Sequence, residues 1–337
     1  MSLSHHGSNL LDSKKWMIFA DHNSKVIQVL HNTGNRISIR MFSKSTWLHL
    51  RIPFSYFLLP VFLFAVGISP NFGEDRLNWV FIILHLLLYP ASNGFNSYFD
   101  KDEKSIGGLK NPPPVTRGLY WMSLLLDGAA IVLGFIKISW LFALMLLIYG
   151  FASKAYSHPS VRLKKLPITG WLVTGFFQGT FTFLMCYVGI NNYDLENLMH
   201  AKVLFPAVLT SLMLWANYPM TQVYQHEEDS RHGDNTLSLM LGIRGTFYFA
   251  AAFFALATAG FIFFFNSFYE IRYGGVFLAV LSPVVLYFGY WFLKVLKDPA
   301  KANFSHTMAL NFISATCLNG FFIWFFFKVS QVGQYLF

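Results

Sequence analysis

Charge is scarce in this chain: Asp, Glu, Lys and Arg make up 12% of its 337 residues, about half the usual share near 25%. That shortage excludes an ordinary water-soluble enzyme, whose surface needs charged side chains throughout. Cysteine is scarce too. The two present, Cys186 and Cys317, both lie inside apolar runs, which leaves no disulfide framework and no thiolate metal spacing. No Ser/Pro/Gly-rich linker divides the sequence, so the long apolar part reads as one domain. Residues 1–40 lack a span-length apolar run and lack the h-region and cleavage site of a signal peptide. An N-terminal extension is therefore expected over 1–45, read either as a flexible arm or as sequence upstream of a true start at Met41.

What is abundant is apolar length. Aromatics reach 19%, and runs of roughly 18 or more apolar residues recur, a length that matches a bilayer rather than a soluble core. Nine are predicted, at about 48–69, 77–99, 119–136, 138–156, 168–190, 201–224, 245–267, 274–294 and 304–328. The expected class is an all-α, polytopic, integral membrane protein with its nine-helix domain at 46–330. Placing the N-terminus inside puts twenty of the 25 Lys and Arg residues in inside segments. Only Arg76, Lys137, Lys202, Arg272 and Lys328 are left outside. That asymmetry is a positive-inside signal, so the N-terminus and the loops at 100–118, 154–167 and 225–244 are expected to be cytoplasmic, in the cell membrane. It also accounts for the net charge of +9 without any nucleic-acid partner.

Polarity concentrates at two helix ends. The second span closes with "NGFNSYFDKDEK", where Asn93, Asn96 and Asp100 are spaced i, i+3, i+7 on one helical face and Glu103 continues it. The sixth span closes with "ANYPMTQVYQHEEDSRHGDNTLSLMLG", where Asn217, Thr221, Gln225 and Asp229 follow at steps of four with Glu228 alongside. Four spans separate the stripes, so both emerge on the same side. Acids beside lysines at a membrane surface are usually solvated loop residues, and membrane asparagines are often interhelical glue; two stripes at matched topology weigh against both readings. Carboxylate and amide oxygens suit Mg²⁺, which shares its ligands with substrate phosphates. Basic residues to balance a diphosphate stand in the loop "SKAYSHPSVRLKKLP": Lys154, Arg162, Lys164 and Lys165, with Tyr156 nearby. Asp127 lies inside the third span, where an ionisable residue is a functional-site hypothesis by default.

These motifs resemble the UbiA superfamily of intramembrane prenyltransferases. "NSYFD" resembles that superfamily's Asn-x-x-x-Asp motif, the stretch from Glu227 to Gly242 its second acidic motif, and "YSHPSVRLKKLP" its third common stretch. All three occur in the expected order, across residues 46–330. The resemblance implies nine helices around a central cavity and Mg²⁺-dependent transfer of a prenyl group from an isoprenoid diphosphate to an aromatic or other lipid-accessible acceptor. Carried onto this sequence, it implies Asn96, Asp100 and Asp229 as catalytic, with Asn96, Asp100, Asp102, Glu103, Gln225, Glu228 and Asp229 as the metal set. Lys154, Tyr156, Arg162, Lys164, Lys165, Asn217, Thr221 and Gln225 would then bind substrate. Two positions depart from the pattern: Lys104 and Gln225 stand where the motifs often have aspartate. A cation or proton transporter using the acid stripes, and a catalytically silent UbiA-like scaffold, are the alternatives.

Overall fold

The structure, a computed structural model, describes residues 41–71 and 73–330, so the extension expected at 1–45 lies outside the described residues up to position 40. Helices α1 (Lys44–Leu50) and α2 (Leu59–Ile68) flank a 3-10 stretch, Ile52–Phe57. Lys44–Phe57 and Leu59–Ile68 meet at a 43° bend and by length and composition count together as one candidate span. Arg51 ends α1 with a left-handed backbone (φ 48), and Pro53 and Pro60 each remove a backbone donor on either side of the bend. Seven further helices are long and apolar enough to span: α3 (Glu74–Asp100), α4 (Arg117–Lys137), α5 (Trp140–Ser157), α6 (Pro167–Asn191), α9 (Leu237–Phe268), α10 (Ile271–Lys297) and α11 (Phe304–Val329). Helix α7 (Ala201–Asn217) does so with its 3-10 extension to Thr221. The total is eight spans, or nine with the bent pair, among the described residues. At 1.5 Å per residue, even the 18-residue α5 covers about 27 Å, close to the ~30 Å hydrocarbon core.

Local chemistry explains the irregularities. Pro90 sits inside α3, and the helix widens into a π-turn at Ile83–Leu88 just before it, which absorbs the missing donor. Helix α6 has a second π-turn at Phe177–Phe181. There Gly179 backs onto α7 so closely that a Cβ would lie 2.6 Å from Ser211 Cα, the small-residue contact that lets membrane helices approach. Helix α9 kinks at Gly242, whose φ of 68° suits a residue without a Cβ. Its N-cap Thr236 accepts from Leu239 N–H, and Asn303 caps α11 in the same way from His306 N–H.

The end of the bundle away from the motifs is packed with aromatic rings. Phe64 stacks on Phe322 at 4.5 Å and meets Phe183 and Phe264 edge-on. In the runs "GFIFFFNSF" and "GFFIWFFFK", Phe261, Phe264, Phe265, Phe321, Phe322 and Phe325 are buried, and Phe263 and Phe327 are the exposed members. A continuous apolar run carries no moment that separates core from lipid, because both are equally oily.

Candidate active site

The two polar stripes meet at one end of the bundle, but not in the way helical periodicity predicts for both. On α3, Asn93, Asn96 and Asp100 do share one helical face into a common cavity. The second stripe is not one helix. Helix α7 ends at Asn217, Pro219–Thr221 forms a 3-10 turn, and a new short helix α8 (His226–His232) begins after Gln225. Pro219 lacks the N–H that would continue α7. Asn217, Thr221, Gln225 and Asp229 still all line the cavity, held there by the turn.

This polar cavity encloses about 270 Å³. Its floor adjoins a second, apolar cavity of about 520 Å³ lined mainly by α2, α7, α9, α10 and α11. Phe57, Leu214, Asn217 and Asn311 belong to both walls. Of these, Asn217 Oδ1 and Asn311 Oδ1 are buried with no hydrogen-bond partner.

Around Asp100 the charges interlock. Lys164 Nζ lies 2.6 Å from Asp100 Oδ1 and 3.0 Å from Asp234 Oδ2. Arg162 donates Nε–H and Nη2–H to the two oxygens of Asp234 at 2.8 and 2.9 Å, and its Nη2 stands 3.5 Å from Asp100 Oδ1. Burial pushes the Asp234 carboxyl up, but hydrogen bonds and positive charge from Arg162 and Lys164 more than offset it and leave its pKa lowered. Lys164 is held protonated: burial works against its charge, and Asp100 and Asp234 outweigh burial. Asp229 has less cationic help. Burial raises its pKa to about 7, against a hydrogen bond from Thr236 Oγ1 at 3.1 Å and the charge of Lys164. Asp102 is pushed up to about 6 by burial and by the neighbouring Asp100 charge.

The other expected residues fall in several places. Tyr156 lines the cavity and hydrogen-bonds the Tyr218 hydroxyl, and Asn96 Oδ1 accepts from Ser157 Oγ–H at 2.7 Å. Lys164 lines the cavity and Arg162 stands directly behind it through Asp234. Lys165 is exposed and is not among the lining residues. Lys154 turns back into the bundle to pair with Asp127, over the Phe95 ring; the intramembrane acid whose partner sequence did not show thus has one, and Lys154 is committed to it. Glu103 lies beyond the end of α3, exposed, because Lys101 stops the helix in a left-handed conformation (φ 52); what it contributes is its backbone N–H, donated to Glu228 Oε1 at 3.1 Å. Glu228 is buried but not a lining residue. Gln225 donates Nε2–H to Ser105 O at 3.4 Å. Lys104 points away from the cavity and pairs with Glu227 at the surface, so its departure from the motif puts no cation into the cavity.

Two participants were missed. Asp234 sits one residue past Gly233, whose left-handed φ of 66° ends α8; its place beside a helix-stopping glycine was the available signal. Arg51 lines the cavity, donating Nη1–H to Gly107 O at 3.0 Å and Nη2–H to Asn93 O at 3.3 Å. Nothing in the sequence singled it out from the other inside basic residues. Among the described residues, three of the four non-glycine positions at positive φ, Arg51, Lys101 and Arg162, surround this site, and such backbone strain, about 1–3 kcal/mol each, tends to gather at functional sites.

The donor set fits a hard cation. Asn96, Asp100, Asp102, Gln225 and Asp229 offer oxygens at one cavity, and Asp100 Oδ1 is buried without hydrogen-bond geometry to any donor despite its ion pair with Lys164. Carboxylate and amide oxygens of this kind are Mg²⁺ ligands, and Mg²⁺ completes its shell with water or phosphate.

The sequence matches the profile of the UbiA prenyltransferase family across residues 55–326. The chain belongs to that family. No curated protein matches it, but solved structures share its fold. A UbiA homolog from Archaeoglobus fulgidus bound to DMAPP and Mg²⁺ is 18% identical, with TM-score 0.62, covering 85% of this chain and 99% of that one. The same homolog bound to GPP and Mg²⁺ gives 16% identity, TM-score 0.60 and coverage of 83% and 99%. A structure concerning digeranylgeranylglyceryl phosphate synthase gives 19% identity, TM-score 0.55 and coverage of 83% and 97%. At these identities the likeness establishes the fold. This UbiA-family protein is thus an all-helical membrane protein.

Proposed function

We propose that this protein transfers a prenyl group from an isoprenoid diphosphate to an aromatic or other lipid-accessible acceptor within the membrane, with Mg²⁺ as cofactor and its site end facing the cytoplasm. One observation carries the reading: the polar cavity that gathers both stripes shares the wall residues Phe57, Leu214, Asn217 and Asn311 with a larger apolar cavity. A molecule with a polyanionic head and an oily tail has that shape. Asn96, Asp100, Gln225 and Asp229 would hold Mg²⁺. When bound, Mg²⁺ neutralises diphosphate charge and stabilises it as a leaving group. Lys164 and Arg162 supply fixed positive charge at the same place, already oriented by Asp234 and so requiring little reorganisation. Tyr156 and Tyr218 present paired hydroxyls on the wall. The apolar cavity takes the isoprenoid tail and keeps water from the reacting carbon.

The A. fulgidus homolog bound to DMAPP and Mg²⁺ supports this assignment of ligand class. The transporter alternative gains no observation, because the lining acids lie at one end of the bundle and Asp127 is neutralised by Lys154. The test is diphosphate release by purified protein from allylic diphosphates of several lengths, with and without Mg²⁺ and candidate acceptors. Thr258→Trp, which fills the apolar cavity, should depress turnover of the long donors and spare the shortest. No release from any donor under any condition would instead favour the silent scaffold.

A further inference from the structure

At the edge of the polar cavity, where the loop after α3 meets α8, Asp102, which lines the cavity, comes together with Glu228 and His232, which do not. One carboxylate oxygen from each acid and one imidazole nitrogen lie within 4.8 Å of one another. Glu228 and His232 are four residues apart on α8 and so share a face, and Asp102 closes the set from the other motif. His232 Nδ1 stands 3.7 Å from Asp102 Oδ1. That is too long for a hydrogen bond, and near the ~3.4 Å that separates two donors bound at about 2.1 Å to one tetrahedral ion.

A second observation points to a ligand. Glu228 is 6% exposed; its Oε1 accepts from Glu103 N–H, and its Oε2 is buried with no partner at all. A buried carboxylate oxygen left unpaired is costly, and a cation bound to the Glu228 carboxylate would relieve that cost. The side chains of Asp102 and His232 keep 13% and 30% of their surface exposed, enough for an ion to enter from water.

We propose that Asp102, Glu228 and His232 bind one divalent transition-metal ion, separate from the Mg²⁺ proposed for the diphosphate. This removes Asp102 and Glu228 from the set expected to hold Mg²⁺. The imidazole decides the chemistry: Mg²⁺ favours oxygen donors alone, whereas one nitrogen with two carboxylates suits Zn²⁺ and its neighbours. Three protein ligands leave one position for water. The ion ties the segment after Asp100 to the helix that carries Asp229, and so fixes the distance between the two cavity acids. The site depends on these residues alone and stands or falls separately from prenyl transfer.

The probe is Zn²⁺, titrated calorimetrically into the full chain in detergent, with no diphosphate present and Mg²⁺ in large excess. Histidines elsewhere in the chain will bind some Zn²⁺, so the readout is a difference. Wild type should bind one more ion than His232→Gln or Glu228→Gln, or bind it at least about tenfold more tightly, since each variant loses one of three ligands. Asp100→Asn and Asp229→Asn should keep that ion. Zn²⁺ should also raise the melting temperature of wild type, as any ligand of the native state does, and raise that of His232→Gln less. Equal binding in wild type and both ligand variants overturns the proposal. So does displacement of the ion by Mg²⁺, or its loss in Asp100→Asn. Should one ligand variant fail to fold, the other is compared; should both fail, absence of a Zn²⁺-dependent melting shift in wild type is by itself a refutation.

Discussion

Replacing Asp234 with alanine should destabilise the loops at the site end of the bundle more than any other single charge removal at the site. Its side chain is 0% exposed, those of Arg162 and Lys164 are each 10% exposed, and that of Asp100 is 3% exposed. The four charges sum to zero within contacts of 2.6 to 3.5 Å. Asp234→Ala leaves two buried cations facing one carboxylate and removes the bidentate clamp on Arg162. Breaking a buried pair by deleting one partner costs about 3–5 kcal/mol. Asp234→Asn keeps one acceptor for the guanidinium and loses the charge, so about 1.5–3 kcal/mol is expected, the range of a single charged hydrogen bond. At roughly 2–4 °C per kcal/mol for domains somewhat smaller than this one, the alanine variant should melt on the order of 10 °C lower in detergent. Lys104→Ala breaks a pair whose side chains are 49% and 61% exposed, and should leave the melting temperature unchanged. Inorganic pyrophosphate should recover part of the alanine variant's loss by occupying the freed cations, and should stabilise wild type less. An alanine variant that melts with wild type would refute the network as the element that joins the loop at 162–165 to the second motif.

Asp100→Asn and Asp229→Asn should each lower Mg²⁺-dependent diphosphate release by about 10²–10³, and the double variant should lose much less than the product, because groups acting on one unit are not independent; normal turnover in both singles would remove the shared site. Asp229, raised to about 7 by burial against an unfolded value near 3.9, binds a proton in the fold that the unfolded chain does not. Metal-free stability should therefore fall as pH rises from about 4 to 7, while apparent Mg²⁺ affinity and turnover rise toward pH 8; melting curves and Mg²⁺ titrations across that range read both, and Asp229→Asn should flatten them. In intact cells an impermeant thiol reagent should label Glu196→Cys, at the bundle end opposite the site, and miss Ser230→Cys, both of which are exposed positions. Labelling in the reverse pattern would invert the orientation.

The membrane class, the span positions and the end of the bundle where the two polar stripes meet were all legible in the sequence. The reason is local: an apolar run of bilayer length, a period-3.6 stripe on α3 and an asymmetry of Lys and Arg are properties of contiguous residues. That Asn96 and Asp100 share one face could be read for that reason, and Asp229 lines the same cavity even though Pro219 breaks the helix on which it was expected to lie. Partnership was not legible. Lys154, Lys164 and Lys165 look alike along the chain, yet one pairs with Asp127 inside the bundle, one bridges Asp100 and Asp234, and one faces outward. Which acid meets which base depends on how helices distant in sequence pack, and on left-handed turns at Arg51, Lys101 and Arg162 that no residue type there announces. The tertiary structure likewise decided which phenylalanines form the core and which face lipid, since the two surroundings are equally apolar and packing alone distinguishes them.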